Sequence, residues 1–404
     1  MLFRLALRNI FRQRVRTAIT LSAIVFGVVG LILSSGFIQD IFVQLGEAII
    51  HSQTGHVQVF RKDFLQKGSR KPEQFLIENV GDRIKSMQDL PEVTEVTARL
   101  NFAGLLNNGR RDIAIIGEGV EPDKEARLGS YLMITSGRQL TDRDTFGILL
   151  GQGVAAGLGL SPGDPVTVLT NTGDGTLNSL EFEVIGVFQS FSKDYDARAI
   201  RIPLAAAQEL LVSEGANLLV VTLSDTRLTQ AGKMAIDATL SGSDLESKSW
   251  RELSDFYDKT VQLYDRQFGI LQFIILVMVL LSVVNSVNMS AFERQGEFGT
   301  LLALGNRPRD VFTILLAENL ILGALGATIG FALGVVLGTI ISAVGIPMPP
   351  PPNANVGYTA QIRLVPVSLI TAWAIGFIAT VCAVLFPARR IARTPIVDAL
   401  RQAT

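Results

Sequence analysis

The sequence predicts an integral membrane protein: four transmembrane α-helices in a one-plus-three arrangement, with a large α+β extracytoplasmic domain inserted between helices one and two. Three observations carry this. Of 404 residues, 48% are hydrophobic and only 18% charged, where a soluble chain carries about 25% charged residues. The apolar excess is confined to four long runs near the chain ends. Arginines crowd both tails.

Residues 1–18 read as an amphipathic cytoplasmic helix. Leu2, Phe3, Leu5, Leu7, Ile10 and Phe11 interleave with Arg4, Arg8, Arg12, Arg14 and Arg16 at helical spacing, the pattern of an element lying on a membrane surface. Helix one follows at 19–39, because Ile19 to Ile38 contains no charge and about 20 helical residues span a hydrocarbon core of roughly 30 Å. Ser34, Ser35 and Gly36 would suit a signal-peptide cleavage site, but signal h-regions run only about 7 to 15 residues. Residues 40–266 have the composition of a soluble domain. Helix two is placed at 267–288 on the uncharged run Phe268 to Val287, and a cytoplasmic loop and short helix at 289–310.

Helix three, 311–344, has one ionisable residue, Glu318. At about 1.5 Å per residue it reaches roughly 50 Å, so its first turns lie outside the hydrocarbon. Gly326, Gly330, Gly334 and Gly338 recur every fourth residue and share one face, which admits a second backbone closely. The loop 345–364 holds Pro347 and Pro349 to Pro352 and should be stiff and extended, a strap. Helix four is placed at 365–387 and a tail at 388–404, with Arg389, Arg390, Arg393 and Arg401. Short basic segments stay cytoplasmic, so both termini and the 289–310 loop are expected inside, with 40–266 and 345–364 on the far side.

Within the large domain, β-branched segments at His56–Phe60, Thr94–Ala98, Ile113–Ile116, Pro165–Leu169 and Phe182–Phe188 predict strands. The last two are joined by a turn at Gly173, Asp174 and Gly175. Helices are expected at Val80–Gln88, Leu204–Leu211 and Ala231–Leu240, and an α+β domain of two lobes. The lone cysteine, Cys382, lies in the last apolar run, which excludes an intrachain disulfide.

Catalysis finds little support. Gly151, Gly153 and Gly157 have neither dinucleotide-loop nor phosphate-loop spacing, and Leu158 to Asp164 reads as a helix end and turn. His51 and His56 lack the spacing of a metal site. Asp194 and Asp196, flanking Tyr195, read as a solvated loop. A net charge of −1 gives no reason to expect nucleic acid.

The 289–310 loop is the most informative segment. In Phe292 to Gly305, Phe298, Leu301 and Leu302 share one helical face, Glu293 and Glu297 project from another, and Gly305 suits a left-handed cap. Such a helix is expected to plug into a groove. The segment resembles the cytoplasmic coupling segment of the MacB, LolC/LolE and FtsX permease family, with Phe298 in place of the usual isoleucine and Leu302 in place of a frequent arginine. Glu318 resembles the family's glutamate at the start of helix three; the alternative is an interfacial glutamate with no special role. The Arg-rich start and the ending Pro387 to Ala392, Pro395 and Ala399 to Arg401 extend the similarity to nearly the whole chain, whose length and helix order are most similar to the lipoprotein-releasing LolC/LolE branch.

The resemblance implies a permease subunit of a type VII, or mechanotransmission, ABC transporter in the bacterial inner membrane. It implies two paired permease chains, identical or paralogous, and separate ATPase subunits that bind the ATP and magnesium, so this chain has no cofactor of its own. Glu293, Arg294, Glu297, Gly299, Leu301, Leu302 and Gly305 would carry coupling to the ATPase. Phe37, Ile41, Phe268 and Leu271 would line a lipid-accepting cavity, or else simply face lipid. Lipoprotein or other lipid-linked cargo is the expected substrate, with a periplasmic adaptor as a further partner. Alternatives are an exporter of peptide or drug and an FtsX-like regulator of a periplasmic hydrolase.

Overall fold

A computed structural model describes residues 14–68, 72–128, 132–350 and 357–392. The expected amphipathic start up to residue 13, Pro351 and Pro352 of the proline run with the residues to 356, and the tail from 393 lie outside the described residues. The helices are α1 Arg14–Ile49, α2 Val80–Gln88, α3 Pro122–Leu128, α4 Gln152–Leu158, α5 Lys193–Asp196, α6 Leu204–Leu211, α7 Thr229–Thr239, α8 Trp250–Leu253, α9 Asp255–Glu293, α10 Gln295–Ala303, α11 Pro308–Val344 and α12 Pro366–Ala392. The strands are β1 Val57–Arg61, β2 Val93–Asn107, β3 Asp112–Val120, β4 Met133–Gly137, β5 Gly147–Gly151, β6 Pro165–Asn171, β7 Leu177–Gln189, β8 Ala199–Pro203, β9 Leu218–Leu223, β10 Leu245–Ser249, β11 Ile346–Met348 and β12 Tyr358–Ala360. The chain divides into two compact units, one of residues 1–42, 260–347 and 359–404, the other of 43–259 and 348–358.

The first unit is helical. Among the described residues, α1, α9, α11 and α12 are long and apolar enough to cross a membrane. All four overrun the boundaries expected from the sequence: α1 continues to Ile49 rather than ending at 39, α9 begins at Asp255 rather than 267, α11 begins at Pro308 rather than 311, and α12 ends at Ala392 rather than 387. Hydropathy marks only the stretch that hydrocarbon tolerates, whereas backbone hydrogen bonding continues until a residue breaks it. Ile24, Val28 and Ile32 of α1 are buried at four-residue spacing with Val279, Val283, Ala327, Ala379 and Ala383. Gly27 sets α1 close to Val279 of α9, and Gly376 brings α12 against Val28. Thr20 and Ser286 share a hydroxyl hydrogen bond between α1 and α9.

The second unit is built on one mixed sheet of order β10-β1-β9-β2-β3-β8-β5-β7-β4, with β6 pairing to β2 and β7. The β3–β8 and β5–β7 pairs are parallel. The two largest apolar cores form around Leu100, Phe102, Leu150, Phe182 and Ile200 and around Val57, Val96, Leu219, Val221 and Ile236. Both cores lie on one continuous sheet. Strand β2, 15 residues long, joins them: Val93–Arg99 pair with β9, and Arg99–Asn107 with β3. The expected strand His56–Phe60 is found one residue further on as β1, the other expected strands fall within the longer β2, β3, β6 and β7, and α2 and α6 have the bounds read from the sequence. Gly159, at φ +67°, ends α4, a left-handed conformation that glycine adopts without strain. The first and last strands of the sheet domain are cross-strand neighbours, with Val57 opposite Ser249.

Candidate functional site

Between α9 and α11 the chain makes a short return. Helix α10 is separated from α9 by the single residue Arg294 and is closed by Gly305 at φ +96°, whose N–H donates to the Leu302 carbonyl while that of Asn306 donates to Leu301. Phe298 and Gly299 are buried, and Phe298, Leu301 and Leu302 pack with Val311 and Leu315 of α11. The groove that the apolar face enters is thus supplied by the chain's own helix, because an amphipathic pattern records that a face is covered and not by what. The outward face is a different set: Glu293, Glu297, Thr300 and Leu304 are exposed and follow one another at four-, three- and four-residue steps. Phe292 is exposed beside them.

Arg294 joins α10 to α11. Its Nη1 donates to both Glu318 carboxylate oxygens, at 3.1 and 2.8 Å, and its Nε donates to Glu297 at 3.1 Å. The guanidinium carbon lies 5.0 Å from the Phe298 ring centre. Arg294 and Glu318 are both only 7% exposed. Burial disfavours the arginine charge, Glu318 and then Glu297 favour it more strongly, and the pKa of Arg294 lies above its ordinary value. Of the expected coupling residues, then, Glu293, Glu297 and Gly305 face outward, Arg294 and Gly299 are buried, and Leu301 and Leu302 are half-buried.

The four regularly spaced glycines of α11, Gly326, Gly330, Gly334 and Gly338, are all buried, as is Gly323. A Cβ on Gly326, Gly330 or Gly334 would lie 2.9, 2.9 or 2.8 Å from Ile24, Val28 or Ile32 of α1, so three successive turns of the two helices meet with no side chain on the α11 face. Gly338 lies instead against Ile362 and Leu364. That extended segment is pinned to α1 as well: Asp40, 1% exposed, accepts from the Gln361 N–H at 2.8 Å and from Arg363 Nε at 2.9 Å, and the Gly36 carbonyl accepts the Arg363 N–H. Phe37, Ile41 and Phe268 are half-buried and Leu271 is exposed; the nearest ring contact is between Phe42 and Tyr264, edge to face at 6.3 Å.

A buried ionic cluster in the sheet domain was not legible in the sequence. Arg99 donates from Nε and Nη2 to Glu125, at 2.6 and 2.8 Å, and from Nη1 to the Gln53 carbonyl at 2.5 Å. Arg201 donates to Glu118 and to the Ser52 carbonyl, both at 3.0 Å. Burial alone would neutralise Glu125, but Arg99 and Arg201 hold its pKa below the ordinary carboxylate value. Nearby, Asp196 corrects the expected solvated loop. It is buried and accepts the Ser190 N–H at 2.9 Å, because the turn folds inward and needs an acceptor; Tyr195 reaches Arg201 through its hydroxyl. Among the described residues no group of His, Cys, Asp or Glu could hold a metal ion.

Residues 17–239 match the family profile of the MacB-like periplasmic core domain, and residues 269–396 that of the FtsX-like permease C-terminal region. An uncharacterised ABC transporter permease of Methanocaldococcus jannaschii is 24% identical over 277 residues, 66% of this chain and 65% of the relative. The lipoprotein-releasing system transmembrane protein LolC of Neisseria meningitidis is 24% identical over 410 residues, 95% of this chain and 94% of the relative. The macrolide export ATP-binding/permease protein MacB of a Shewanella strain is 23% identical over 425 residues, 98% of this chain and 60% of the relative. The chain spans less than two thirds of the archaeal permease and of that MacB protein.

Proposed function

We propose, from the premise that this chain belongs to the ABC transporter permeases with a MacB-like periplasmic core domain and an FtsX-like C-terminal region, that it is the permease subunit of a mechanotransmission transporter in the bacterial inner membrane. A separate ATPase binds ATP and magnesium and docks on the outward face of α10. Its stroke passes through α11 to α1 and moves the sheet domain on the far side of the bilayer. One observation carries this reading: α10 keeps its apolar face and Arg294 locked on α11 while Glu293, Glu297, Thr300 and Leu304 are exposed on the opposite side. A helix held that way moves with α11 when it is pushed. The buried glycine face supports the next step, since the α11 backbone at Gly326, Gly330 and Gly334 lies directly against Ile24, Val28 and Ile32 of α1 and closely packed helices pass on displacement rather than absorb it.

The expected orientation follows from the arginines of the N-terminal tail and of Arg389 and Arg390, which keep both termini cytoplasmic. The cargo is lipoprotein or another lipid-linked molecule taken from the outer leaflet, a reading supported by the similarity to LolC along nearly the full length of both chains. Phe37, Ile41, Phe268 and Leu271 are the residues proposed to meet its acyl chains, and a second permease copy or a paralogue completes the transporter. The similarity to MacB over nearly all of this chain supports a second reading, export of a small molecule or peptide through a periplasmic adaptor.

The test is purification of the membrane complex from cells carrying wild type or Glu297→Lys with Leu304→Lys. Wild type should bring down an ATPase and its bound lipid or lipoprotein, and the variant should lose the ATPase while remaining folded. An ATPase retained at wild-type stoichiometry by the variant would sink the assignment of this face.

A further inference from the structure

The ionic cluster of the sheet domain has no part in the reading so far. Charged side chains in a protein interior are strongly disfavoured unless each is paired, and a well-packed apolar filling is often at least as stable. Arg99, Arg201, Glu118 and Glu125 are all at most 6% exposed, so stability alone does not account for them. What the charges add is direction. Two guanidinium groups from different strands, Arg99 on β2 and Arg201 on β8, aim at the consecutive carbonyls of Gln53 and Ser52. Glu125 on α3 and Glu118 on β3 accept from those guanidinium groups, and Glu125 also lies 3.6 Å from Arg201, which makes the pairs one cluster.

Ser52 and Gln53 belong to a five-residue π-helical turn, Ile50–Thr54, that continues directly from α1. The last carbonyls of a helix lack partners within it and carry the negative end of its dipole. A single π-type turn has wider, less regular bonding than an α-helix, and would be the soft point between α1 and the first strand. The Ser52 side chain adds no hold: it is buried and its Oγ has no hydrogen-bond partner. The turn is gripped through its backbone.

We propose that Arg99, Glu125, Arg201 and Glu118 form a positioning joint that fixes the end of α1 to the sheet, so that a shift of α1 is delivered to β2 and β8 instead of being lost in the turn. The joint rests on the permease reading, because only a working stroke of α1 gives it something to deliver.

The test uses the full chain in lipid nanodiscs with its copurifying ATPase, on a Cys382→Ala background. Spin labels are placed on cysteines at the exposed Met234 of α7 and Val344 of α11, and the distance between them is measured with and without ATP, magnesium and vanadate. The joint is removed by Arg99→Met, Glu125→Leu, Arg201→Met and Glu118→Leu together, which keeps volume and leaves no unpaired charge. ATP hydrolysis should persist while the nucleotide-dependent distance change is lost, a separation that a merely structural role would not produce. Hydrolysis with a distance change of wild-type size overturns the proposal. Should the fourfold variant not fold, two glycines inserted between Ile49 and Ile50 leave the charges in place and break the rigid link. The same loss is expected there, and an unchanged shift again overturns it. A wild-type complex with no nucleotide response overturns the permease reading itself and the joint with it.

Discussion

Replacing Glu318 by Gln removes the carboxylate that accepts two hydrogen bonds from Arg294, and leaves a guanidinium only 7% exposed to carry its charge nearly alone. Breaking a buried ion pair from one side costs about 3–5 kcal/mol. Glu297, still 3.1 Å away but partly solvated, recovers some of this, so the lower end applies, about 3 kcal/mol. The cost falls on the docking of α10 against α11 rather than on the whole fold, because the pair joins those two elements. An equilibrium shifted by about 3 kcal/mol changes by roughly 100-fold. Hydrogen exchange by mass spectrometry should therefore show the amides of Gln295–Ala303, including Phe298, which donates to the Arg294 carbonyl, exchanging roughly 100-fold faster. The paired change Arg294→Met with Glu318→Leu should recover most of the protection, since it leaves no unpaired charge. Unchanged exchange in Glu318→Gln, or a double variant worse than the single one, would refute the view that this pair holds α10 in place.

Three further outcomes are expected. Gly330→Val puts a Cβ 2.9 Å from that of Val28 and 3.0 Å from the Val25 carbonyl; α1 must move away, at about 1–3 kcal/mol, and the thermal midpoint in detergent should fall, whereas Gly269→Ala, with nothing within 4 Å, should leave it unchanged. Arg363→Ala leaves the buried Asp40 with the Gln361 N–H as a partner, which should cost about 2 kcal/mol and speed limited proteolysis between 357 and 365. His56 is held neutral by burial first and by His51 second, its pKa lowered from 6.5 to about 4, and its Nδ1 accepts the Leu223 N–H. The unfolded chain takes up this proton below pH 6.5 and the folded one only near 4, so stability present above 6.5 should drain away between those values by about 3 kcal/mol at most. Urea melts of wild type against His56→Gln, which should flatten that slope, check the sign.

The membrane helices were legible because a bilayer imposes an uninterrupted composition, which leaves no ambiguity over Ile19 to Ile38 or Phe268 to Val287. Their ends were not, since α1 and α9 continue as helices through polar residues that hydropathy does not score. In the sheet domain α2 and α6 could be read from local periodicity. The span of β2 could not, because its polar ends are ordered by pairing with β3 and β9. At the candidate site the amphipathic character of α10 was plain, but which face meets solvent was settled by Val311 and Leu315 of α11, beyond the turn that follows. Arg99, Glu118, Glu125 and Arg201 are scattered over a hundred positions and are of types that ordinarily face water. Only the sheet, by setting β2, β3 and β8 side by side, turns them into a cluster.

The pairing of Val57 with Ser249 has a mechanical consequence. Both connections of the sheet domain leave from the same end of one antiparallel ladder, β1 against β10. A force drawing the two connections the same way leaves that ladder unloaded, whereas one prising them apart peels it open rung by rung, the weakest geometry in which hydrogen bonds can resist. The domain is consequently suited to being swung by its two tethers in concert and poorly suited to having them spread, and a grip on Ser52 and Gln53 takes up strain before the first rung feels it.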